Sequence, residues 1–267
     1  MLSKNVLIPL ITPINEDNQV CEYSVKALID RSKEFVEGYI PCLTSGEGWK
    51  LSEEQWCDMV RYTIKHAPHH NVITGIEKPT TLEVMHFAKL ANTLGADGII
   101  ITSPFGESVS QEEIFLHYQS LHDLFPRDLY IYNESELSNN KTTPETLIKI
   151  SELSNVVGIK ESSNSDEFNA IRALLQANGL KVYQGWENRI VDDELADGNI
   201  CSLSNLYPKL CLQATQNESP KVKSELKSEI NTLCERHQLF AEDWYAYIKQ
   251  FLNKAGVISS SSCIEPA

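Results

Sequence analysis

The sequence predicts an α/β fold with a closed parallel sheet, and two observations lead to that prediction. Short apolar segments rich in Val, Ile, Leu or Tyr recur along the chain, as strands buried on both faces should. Helical patterns separate them, and alternation of strand and helix is typical of parallel sheets. The predicted strands comprise residues 5–11, 39–44, 71–76, 98–102, 129–133, 156–160, 181–185 and 199–203. Eight such units in 267 residues match the (β/α)8 TIM barrel.

The helices between these strands have recognisable first turns. Ser52, Thr80 and Ser110 are each followed three residues later by Gln or Glu, which is the capping-box pattern. In that box the hydroxyl accepts from one exposed amide while the later side chain accepts from another. Thr143 precedes Pro144, an arrangement that favours a helix with proline in its first position. These signals predict helices after the second, third, fourth and fifth strands.

After residue 203 the alternation of strand and helix stops. Three helical patterns follow without an intervening strand, at residues 205–215, 220–237 and 240–256. We therefore expect a barrel over residues 1–204 and a C-terminal helical appendage over residues 205–267 that packs on the barrel. The serines at 259–262 are predicted to be irregular.

The charge balance and the cysteines exclude several classes of protein. A formal net charge of −14 argues against nucleic acid and anionic membranes as partners, since both select basic patches. The seven cysteines include no C-x-x-C pair, so reduced thiols are expected instead of a disulfide framework or a zinc site. The apolar run within residues 1–9 is too short for a signal peptide, and no segment reaches transmembrane length. We expect a soluble cytoplasmic protein.

The sixth predicted strand ends in Lys160, and this residue directs the search for a site. Burial disfavours the charged form of lysine, and a neutral amine can form a Schiff base with a carbonyl compound. In a barrel of this kind the active site lies at the carboxyl ends of the strands. Tyr132 ends the neighbouring fifth strand, where its hydroxyl could exchange protons with intermediates on the amine. Thr44 and Ser45, after the second strand, offer hydroxyls and amides to a carboxylate.

Five motifs in this order resemble those of the dihydrodipicolinate synthase and N-acetylneuraminate lyase family of pyruvate-dependent class I aldolases. They are a T-P pair at residues 12–13, T-S-G-E at 44–47, Y-N at 132–133, G-I-K-E at 158–161 and a glycine-to-asparagine segment at 198–205. The second motif resembles the family's G-T-T-G-E loop, with serine replacing the second threonine. The resemblance runs from the start of the chain almost to its end.

The resemblance implies that Lys160 forms an imine with pyruvate or another 2-oxo acid. It makes Tyr132 the acid/base and Thr44 part of the hydroxyl relay of Tyr132. It implies neither a metal nor an organic cofactor, because the protonated imine is itself the electron sink. Retro-aldol cleavage would leave an enamine of pyruvate on the lysine and release an aldehyde, and the forward reaction would join the two.

The same resemblance implies which groups bind the 2-oxo acid. Ser45 would bind its carboxylate, Gly46 belongs to the same substrate-binding turn, and the backbone at Ile200 would line the pocket. Glu47 is expected to be structural, bonding loop amides. The family also implies a homodimer or a homotetramer.

Two positions depart from the synthases of this family. Their Y-N-x-P-x-R motif ends here in Leu137, so the bidentate anchor for an anionic aldehyde is missing. Gly106 stands where the synthases carry a tyrosine that completes a proton relay across a subunit interface. A less anionic or hydroxylated aldehyde is therefore favoured. Glu134, Trp186 and Glu187 are candidates for shaping its pocket.

Several interpretations stay open at this point. The first is a lyase that cleaves or forms a 4-hydroxy-2-oxo or 2-oxo-3-deoxy acid. The second is an authentic dihydrodipicolinate synthase, acting on pyruvate and aspartate semialdehyde with an unusual anchor. The third is a catalytically weak member that binds a 2-oxo acid as a sensor or serves as a scaffold. For Lys160 by itself, the alternative is a structural lysine that extends to solvent. Retention of both Tyr132 and Lys160 argues against the third.

Overall fold

A computed structural model describes residues 4–163, 165–217 and 219–265. Within these ranges eight parallel strands pair in chain order, and the first also pairs with the last, so that the barrel is closed. The strands are β1 Asn5–Pro9, β2 Gly38–Ile40, β3 Asn71–Ile76, β4 Gly98–Ile101, β5 Asp128–Asn133, β6 Val156–Glu161, β7 Lys181–Gln184 and β8 Gly198–Asn199. The predicted TIM barrel is confirmed. Residues 1–3 and 266–267, which belong to the two predicted parts, lie outside the described ranges.

Helices surround the barrel and continue after it. They are α1 Glu22–Ser32, α2 Glu53–His66, α3 Thr81–Leu94, α4 Gln111–Leu124, α5 Ser135–Ser138, α6 Pro144–Ser151, α7 Asp166–Ala177, α8 Pro208–Gln216, α9 Pro220–Arg236 and α10 Trp244–Lys254. The connection from β7 to β8, which is described throughout, contains only the 3-10 turn Glu187–Arg189, so the prediction of strict alternation is wrong there. Arg172 of α7 donates two hydrogen bonds to the Asp193 carboxylate and so holds this connection in place without a helix.

The second and eighth strands are shorter than predicted. Cys42 has a φ of 63°, which ends the extended backbone after β2, and the chain continues as the 3-10 turn Thr44–Gly46. After β8 the chain enters a second 3-10 turn, Ser202–Asn205. The apolar residues of both segments are buried, but they are buried in turns. Both turns lie at the carboxyl ends of strands, where this fold carries its active site.

The predicted helix starts are present with one difference. Ser52 and Ser110 each form the complete capping box. Thr143 accepts a hydrogen bond from the helix that Pro144 begins. At Thr80 the box is incomplete, because the carboxylate three residues later accepts from the Thr80 hydroxyl (2.6 Å) instead of from its amide. These caps fix the first turns of α2, α4 and α6.

Side chains fill the interior of the barrel. The buried cluster there consists of Leu7, Ile40, Leu43, Ile73, Ile100, Tyr130, Tyr132, Tyr183 and Ile200. Tyr132 is therefore a core residue as well as a residue at a strand end. Truncating a buried aromatic residue to alanine lowers the free energy of unfolding by about 3–5 kcal/mol. A test of its hydroxyl must for this reason keep the ring.

The C-terminal segment packs on the carboxyl ends of β1 and β2. The Asn205 side chain donates to the Pro9 carbonyl (2.8 Å) and accepts from the Ile11 amide (3.1 Å). Lys249 of α10 forms an ion pair with Glu47, just after the turn that follows β2. Within the described ranges, no helix has the length and apolar character needed to cross a membrane.

Candidate active site

Lys160 and Tyr132 lie side by side at the carboxyl ends of neighbouring strands. In the pairing of β5 with β6, Tyr132 is the register partner of Lys160. The Nζ atom of Lys160 is 4.1 Å from the centroid of the Tyr132 ring. Each residue is only 6% exposed. The structure therefore places a buried amine against a buried phenol, in contact across one strand pair.

The charge state of Lys160 differs from the expectation that burial leaves a neutral amine. Burial lowers the pKa of its ammonium group, but attraction to Tyr132 and a hydrogen bond with Tyr132 outweigh that effect, and the pKa is raised overall. Burial also raises the pKa of the Tyr132 phenol. At neutral pH the pair is consequently an ammonium group beside a neutral phenol. A base must take a proton from Lys160 before the amine can attack a carbonyl carbon.

Thr44 connects Tyr132 to a buried carboxyl group. The Thr44 Oγ1 atom lies 3.3 Å from the Tyr132 hydroxyl. The Thr44 hydroxyl also donates a hydrogen bond to Glu77 Oε1, at 2.5 Å. The turn after β2 thus brings Thr44 between Glu77 and the phenol that contacts Lys160, and the charge of Glu77 acts on Lys160 as well.

Ser45 and Ile200 take different positions relative to Lys160. Ser45 is 2% exposed and lies in the same turn as Thr44, with its Oγ atom 3.3 Å from the Ser202 Oγ atom. The Ile200 amide donates to the Gln184 carbonyl (2.9 Å), and its side chain belongs to the barrel interior. Among the described residues, Ser45 lines the cavity that contains Lys160 and Ile200 does not.

Gly46 is placed behind the cavity. Its amide donates to the Leu43 carbonyl (2.7 Å), and its carbonyl accepts from Thr12 (2.7 Å). A Cβ atom at this position would come within 2.6 Å of the Leu10 carbonyl oxygen. Gly46 therefore lets the turn approach the end of β1, and this close approach presents Thr44 and Ser45 to the cavity.

The cavity around Lys160 has a volume of about 260 Å³. Its lining comprises Thr44, Ser45, Tyr132, Glu134, Glu136, Leu137, Lys160, Ser162, Gly185, Trp186, Glu187, Ser202, Leu239 and Trp244. The last two residues come from the C-terminal segment and enclose the cavity from above the strand ends. Small-molecule sites usually measure about 300–1,000 Å³, so this cavity suits a small substrate. Larger cavities of about 570 and 600 Å³ lie on α9 and around Arg172, away from Lys160.

The lining of this cavity is acidic. Glu134, Glu136 and Glu187 contribute carboxyl groups, and Lys160 is the one cation among the described lining residues. Glu187 accepts a hydrogen bond from the Ser202 amide (2.7 Å) and so holds the turn after β8. Burial raises the pKa of Glu187, although hydrogen bonds from backbone amides oppose the shift. Such a lining disfavours a strongly anionic second substrate.

The two positions that depart from the synthases lie beside the cavity loops. Leu137 lines the cavity, and its amide donates to Glu134 Oε2 (2.6 Å). Glu134 therefore caps the short helix α5 with its carboxylate. Gly106 has a φ of 132°, a backbone conformation that residues with side chains rarely adopt, and its amide donates to the Ser138 carbonyl (2.8 Å). The backbone of this loop is thus shaped for glycine.

The structure also places residues in the site that the motifs did not single out. Glu77 directly follows β3, so the strand-end criterion that identified Lys160 would have found it as well. Ser202 lies within the glycine-to-asparagine segment. Trp244 gave no signal, because only the packing of the C-terminal helices brings it to the cavity. Trp186, which was predicted, lines the cavity while its indole donates to the Ser162 carbonyl (2.7 Å).

Comparison with known proteins gives relatives over most of the chain. A 4-hydroxy-tetrahydrodipicolinate synthase from Syntrophus aciditrophicus is 31% identical over 188 residues, covering 68% of this chain and 63% of that enzyme. The aligned part thus spans less than two thirds of that relative. A synthase of the same name from Clostridium novyi is 27% identical over 248 residues, covering 87% of this chain and 82% of that enzyme.

Solved structures share the fold. The chloride-inhibited dihydrodipicolinate synthase from Acinetobacter baumannii, complexed with pyruvate, superimposes with a TM-score of 0.86 at 25% identity, over 99% of this chain and 93% of that one. A prophage protein of the dihydrodipicolinic acid synthase family from E. coli K12, also in complex with pyruvate, gives 0.90 at 22% identity, over 100% and 93% of the two chains. Residues 2–267 match the dihydrodipicolinate synthetase family. The chain therefore belongs to the dihydrodipicolinate synthetase family and is an enzyme of that family, a class I aldolase and carbon–carbon lyase.

Proposed function

We propose that the enzyme forms a Schiff base between Lys160 and pyruvate or a related 2-oxo acid, and that it makes or breaks a carbon–carbon bond to an aldehyde. The observation that carries the proposal is the buried contact of Lys160 with Tyr132, at 4.1 Å from amine to ring centroid. An amine nucleophile beside an acid/base is the arrangement that imine chemistry needs. Pyruvate in two structures of similar fold supports the first substrate.

Each residue of the pair has a defined task in this reaction. Lys160 loses a proton, and its free amine attacks the keto carbon while the carbonyl electron pair moves to oxygen. Tyr132 protonates that oxygen and the nitrogen loses one proton, which gives a neutral carbinolamine. A second protonation of the oxygen lets it leave as water, and the nitrogen electron pair forms the protonated imine. Loss of a proton from the adjacent carbon then yields an enamine that attacks the aldehyde. Cleavage runs the same steps in reverse.

The turn after β2 supplies a site for the carboxylate of the 2-oxo acid. Ser45 presents its hydroxyl to the cavity. The Thr44 amide hydrogen-bonds Glu77, and the amides of Gly46 and Glu47 are used inside the turn. A hydroxyl beside the backbone amides of a turn favours an anion.

The acidic lining favours a neutral or hydroxylated aldehyde as the second substrate. Glu134, Glu136 and Glu187 would repel a second carboxylate, and Leu137 offers no charge to bind one. Carboxyl groups are also good acceptors for substrate hydroxyls. We therefore favour a 4-hydroxy-2-oxo or 2-oxo-3-deoxy acid as the compound that is cleaved or formed.

A second candidate function is the synthesis of 4-hydroxy-tetrahydrodipicolinate from pyruvate and aspartate semialdehyde. The names of the relatives from Syntrophus aciditrophicus and Clostridium novyi favour it. Turnover measured with aspartate semialdehyde and with neutral hydroxyaldehydes distinguishes the two candidates. A third outcome, binding of the 2-oxo acid without turnover, would indicate a sensor or a scaffold.

Mass spectrometry of the intact protein tests the Schiff base directly. The enzyme is treated with pyruvate and borohydride, and a reduced adduct is expected in the wild type and absent in Lys160→Ala. Lys78 provides a matched control, because it is half-buried near the site and burial lowers the pKa of its ammonium group. Lys78 does not line the described cavity, so Lys78→Ala should retain the adduct. An adduct that persists in Lys160→Ala and disappears in Lys78→Ala would reject the assignment.

The family resemblance extends the proposal to a homodimer or homotetramer in the cytoplasm. One chain has a mass of 30.1 kDa. Light scattering on the purified protein separates these assemblies, since the mass would be two or four times that of the chain.

A further inference from the structure

Glu77 is a buried carboxyl group that the proposed chemistry leaves without a task. It is the first residue after β3 and is 2% exposed. Its Oε1 atom accepts the hydrogen bond from Thr44, at 2.5 Å. Among the described residues its Oε2 atom has no hydrogen-bond partner. A buried carboxyl group with one oxygen left without a hydrogen bond is unfavourable as an ion, so its position requires an explanation.

The geometry orders the hydrogen bonds between Tyr132 and Glu77. An ionised carboxylate only accepts, and the Thr44 hydroxyl has one proton, which it donates to Glu77. In the 3.3 Å contact the Tyr132 hydroxyl is then the donor and Thr44 the acceptor. A continuous path therefore leads from the phenol beside Lys160 to the carboxylate of Glu77.

We infer that Glu77 is a positioning residue that acts through Thr44, as the last proton acceptor of a relay that begins at Tyr132. This inference rests on the proposed Schiff-base chemistry at Lys160. It assigns the proton that must leave the amine to a group inside the site, not to solvent.

The transfer is balanced in protons and electrons. Tyr132 gives its proton to Thr44 Oγ1 while Thr44 gives its own to Glu77 Oε1, and each bonding electron pair stays on the oxygen that loses the proton. Tyr132 is left as a phenoxide that takes a proton from the Lys160 ammonium group. The net change is one proton moved from the amine to Glu77. No carbon bond changes, and the reverse transfer protonates the departing oxygen.

The surroundings of Glu77 suit a proton acceptor. Burial raises its pKa to about 7, although the Thr44 hydrogen bond and the charge of Lys160 lower it and Glu134 raises it further. The other titratable neighbours are Tyr132, Cys42 and Lys78. A group that titrates near the working pH both accepts and returns protons readily.

A purely structural role for Glu77 makes a different prediction. If it only orients the Thr44 hydroxyl, any side chain that accepts that hydrogen bond should serve, and its titration should be irrelevant. Glu77→Gln keeps an oxygen for Thr44 at nearly the same volume but accepts no proton. Glu77→Asp keeps the titrating group on a shorter side chain.

The test is the exchange of the pyruvate methyl protons in D₂O, followed by NMR between about pH 5.5 and 9, which needs no aldehyde. We expect the wild-type rate to rise through about pH 7 as Glu77 ionises. Glu77→Gln should lose this step and exchange about 100-fold more slowly. Glu77→Asp should recover the step. The borohydride adduct at Lys160, measured after long incubation, should persist in both variants and shows that they are folded.

A second cycle separates the relay from other effects of the substitution. Thr44→Val interrupts the path, so Thr44→Val/Glu77→Gln should exchange no more slowly than Thr44→Val alone. The relay would be overturned by a Glu77→Gln enzyme that keeps the wild-type exchange rate and its pH step. It would also be overturned if the losses of exchange rate in the two single variants multiplied in the double variant. In either case the borohydride adduct would leave the proposed function intact. Absence of the adduct in the wild type would overturn both.

Discussion

Lys249 and Glu47 form an ion pair from which solvent is excluded. The Lys249 Nζ atom contacts Glu47 Oε1, and neither side chain is exposed. Lys249 also donates to the Ser262 carbonyl (3.1 Å), and Glu47 Oε2 accepts from the Ile264 amide (2.9 Å). The C-terminal helix α10 and the chain after it are thereby joined to the turn that carries Thr44 and Ser45. The pair thus holds the C-terminal segment, which contributes Leu239 and Trp244 to the cavity, against the turn that contributes Thr44 and Ser45.

Breaking this pair should destabilise the protein strongly. Lys249→Met leaves the buried Glu47 carboxylate with only the longer contact to Lys50 (3.5 Å), and the free energy of unfolding should fall by about 3 kcal/mol. Lys249→Met/Glu47→Gln should recover part of this loss, because no uncompensated charge remains. Urea unfolding at pH 7 measures all three proteins. The exposed pair of Lys227 with Asp192 (2.6 Å) is the control, and Lys227→Met should change the free energy by less than about 1 kcal/mol.

Glu77 should make the stability of the protein depend on pH. Its pKa is raised from 4.5 to about 7 in the folded state, so the folded protein binds the proton more tightly than the unfolded chain. The stability that this provides is complete below pH 4.5 and is lost as the pH rises through about 7. Relative to Glu77→Gln, the free energy of unfolding of the wild type should fall by about 3 kcal/mol between pH 4 and pH 8. A constant difference between the two proteins across this range would contradict the raised pKa.

Most of the fold and the central pair of the site could be predicted from the sequence, for physical reasons. A strand buried on both faces needs an apolar run, and Lys160 stands out because it ends one. The same criterion extended β2 and β8 too far, since the residues after them are equally apolar but are buried in turns. Lys249 was missed because it meets Glu47 across 202 residues of sequence, and only tertiary packing reveals such a contact.

Ser45 should contribute to the binding of the 2-oxo acid and not to the chemical step. Ser45→Ala removes a hydroxyl that we assign to the substrate carboxylate, and a hydrogen bond to a charged group contributes about 1.5–3 kcal/mol. The KM for pyruvate should therefore rise about 10- to 100-fold with kcat nearly unchanged. Ser204→Ala is a matched control, because Ser204 is fully buried in the neighbouring turn and does not line the described cavity. A loss of kcat at constant KM in Ser45→Ala would instead place this serine in the proton transfers.

Leu137 should decide how well the site accepts an anionic aldehyde. It lines the cavity on the loop after β5, where an arginine would offer two parallel hydrogen bonds to a carboxylate. Leu137→Arg should raise kcat/KM for aspartate semialdehyde by about tenfold or more relative to a neutral hydroxyaldehyde. Glu136 is exposed on the same loop and would compete for the new guanidinium group, so Leu137→Arg/Glu136→Gln should show the larger gain.

Leu137→Met is the control for this last experiment, since it changes the shape of the lining without adding charge and should leave the ratio of the two substrates unaltered. The acidic lining explains why the wild type should disfavour the anion: three carboxyl groups face the cavity and a single ammonium group opposes them. That ammonium group is consumed when Lys160 forms the imine, so the second substrate meets carboxyl groups alone apart from the charge of the imine itself. A wild-type enzyme that already prefers aspartate semialdehyde would show that the positive charge of the imine is sufficient to bind the anionic aldehyde. The enzyme would then be a synthase without the arginine anchor.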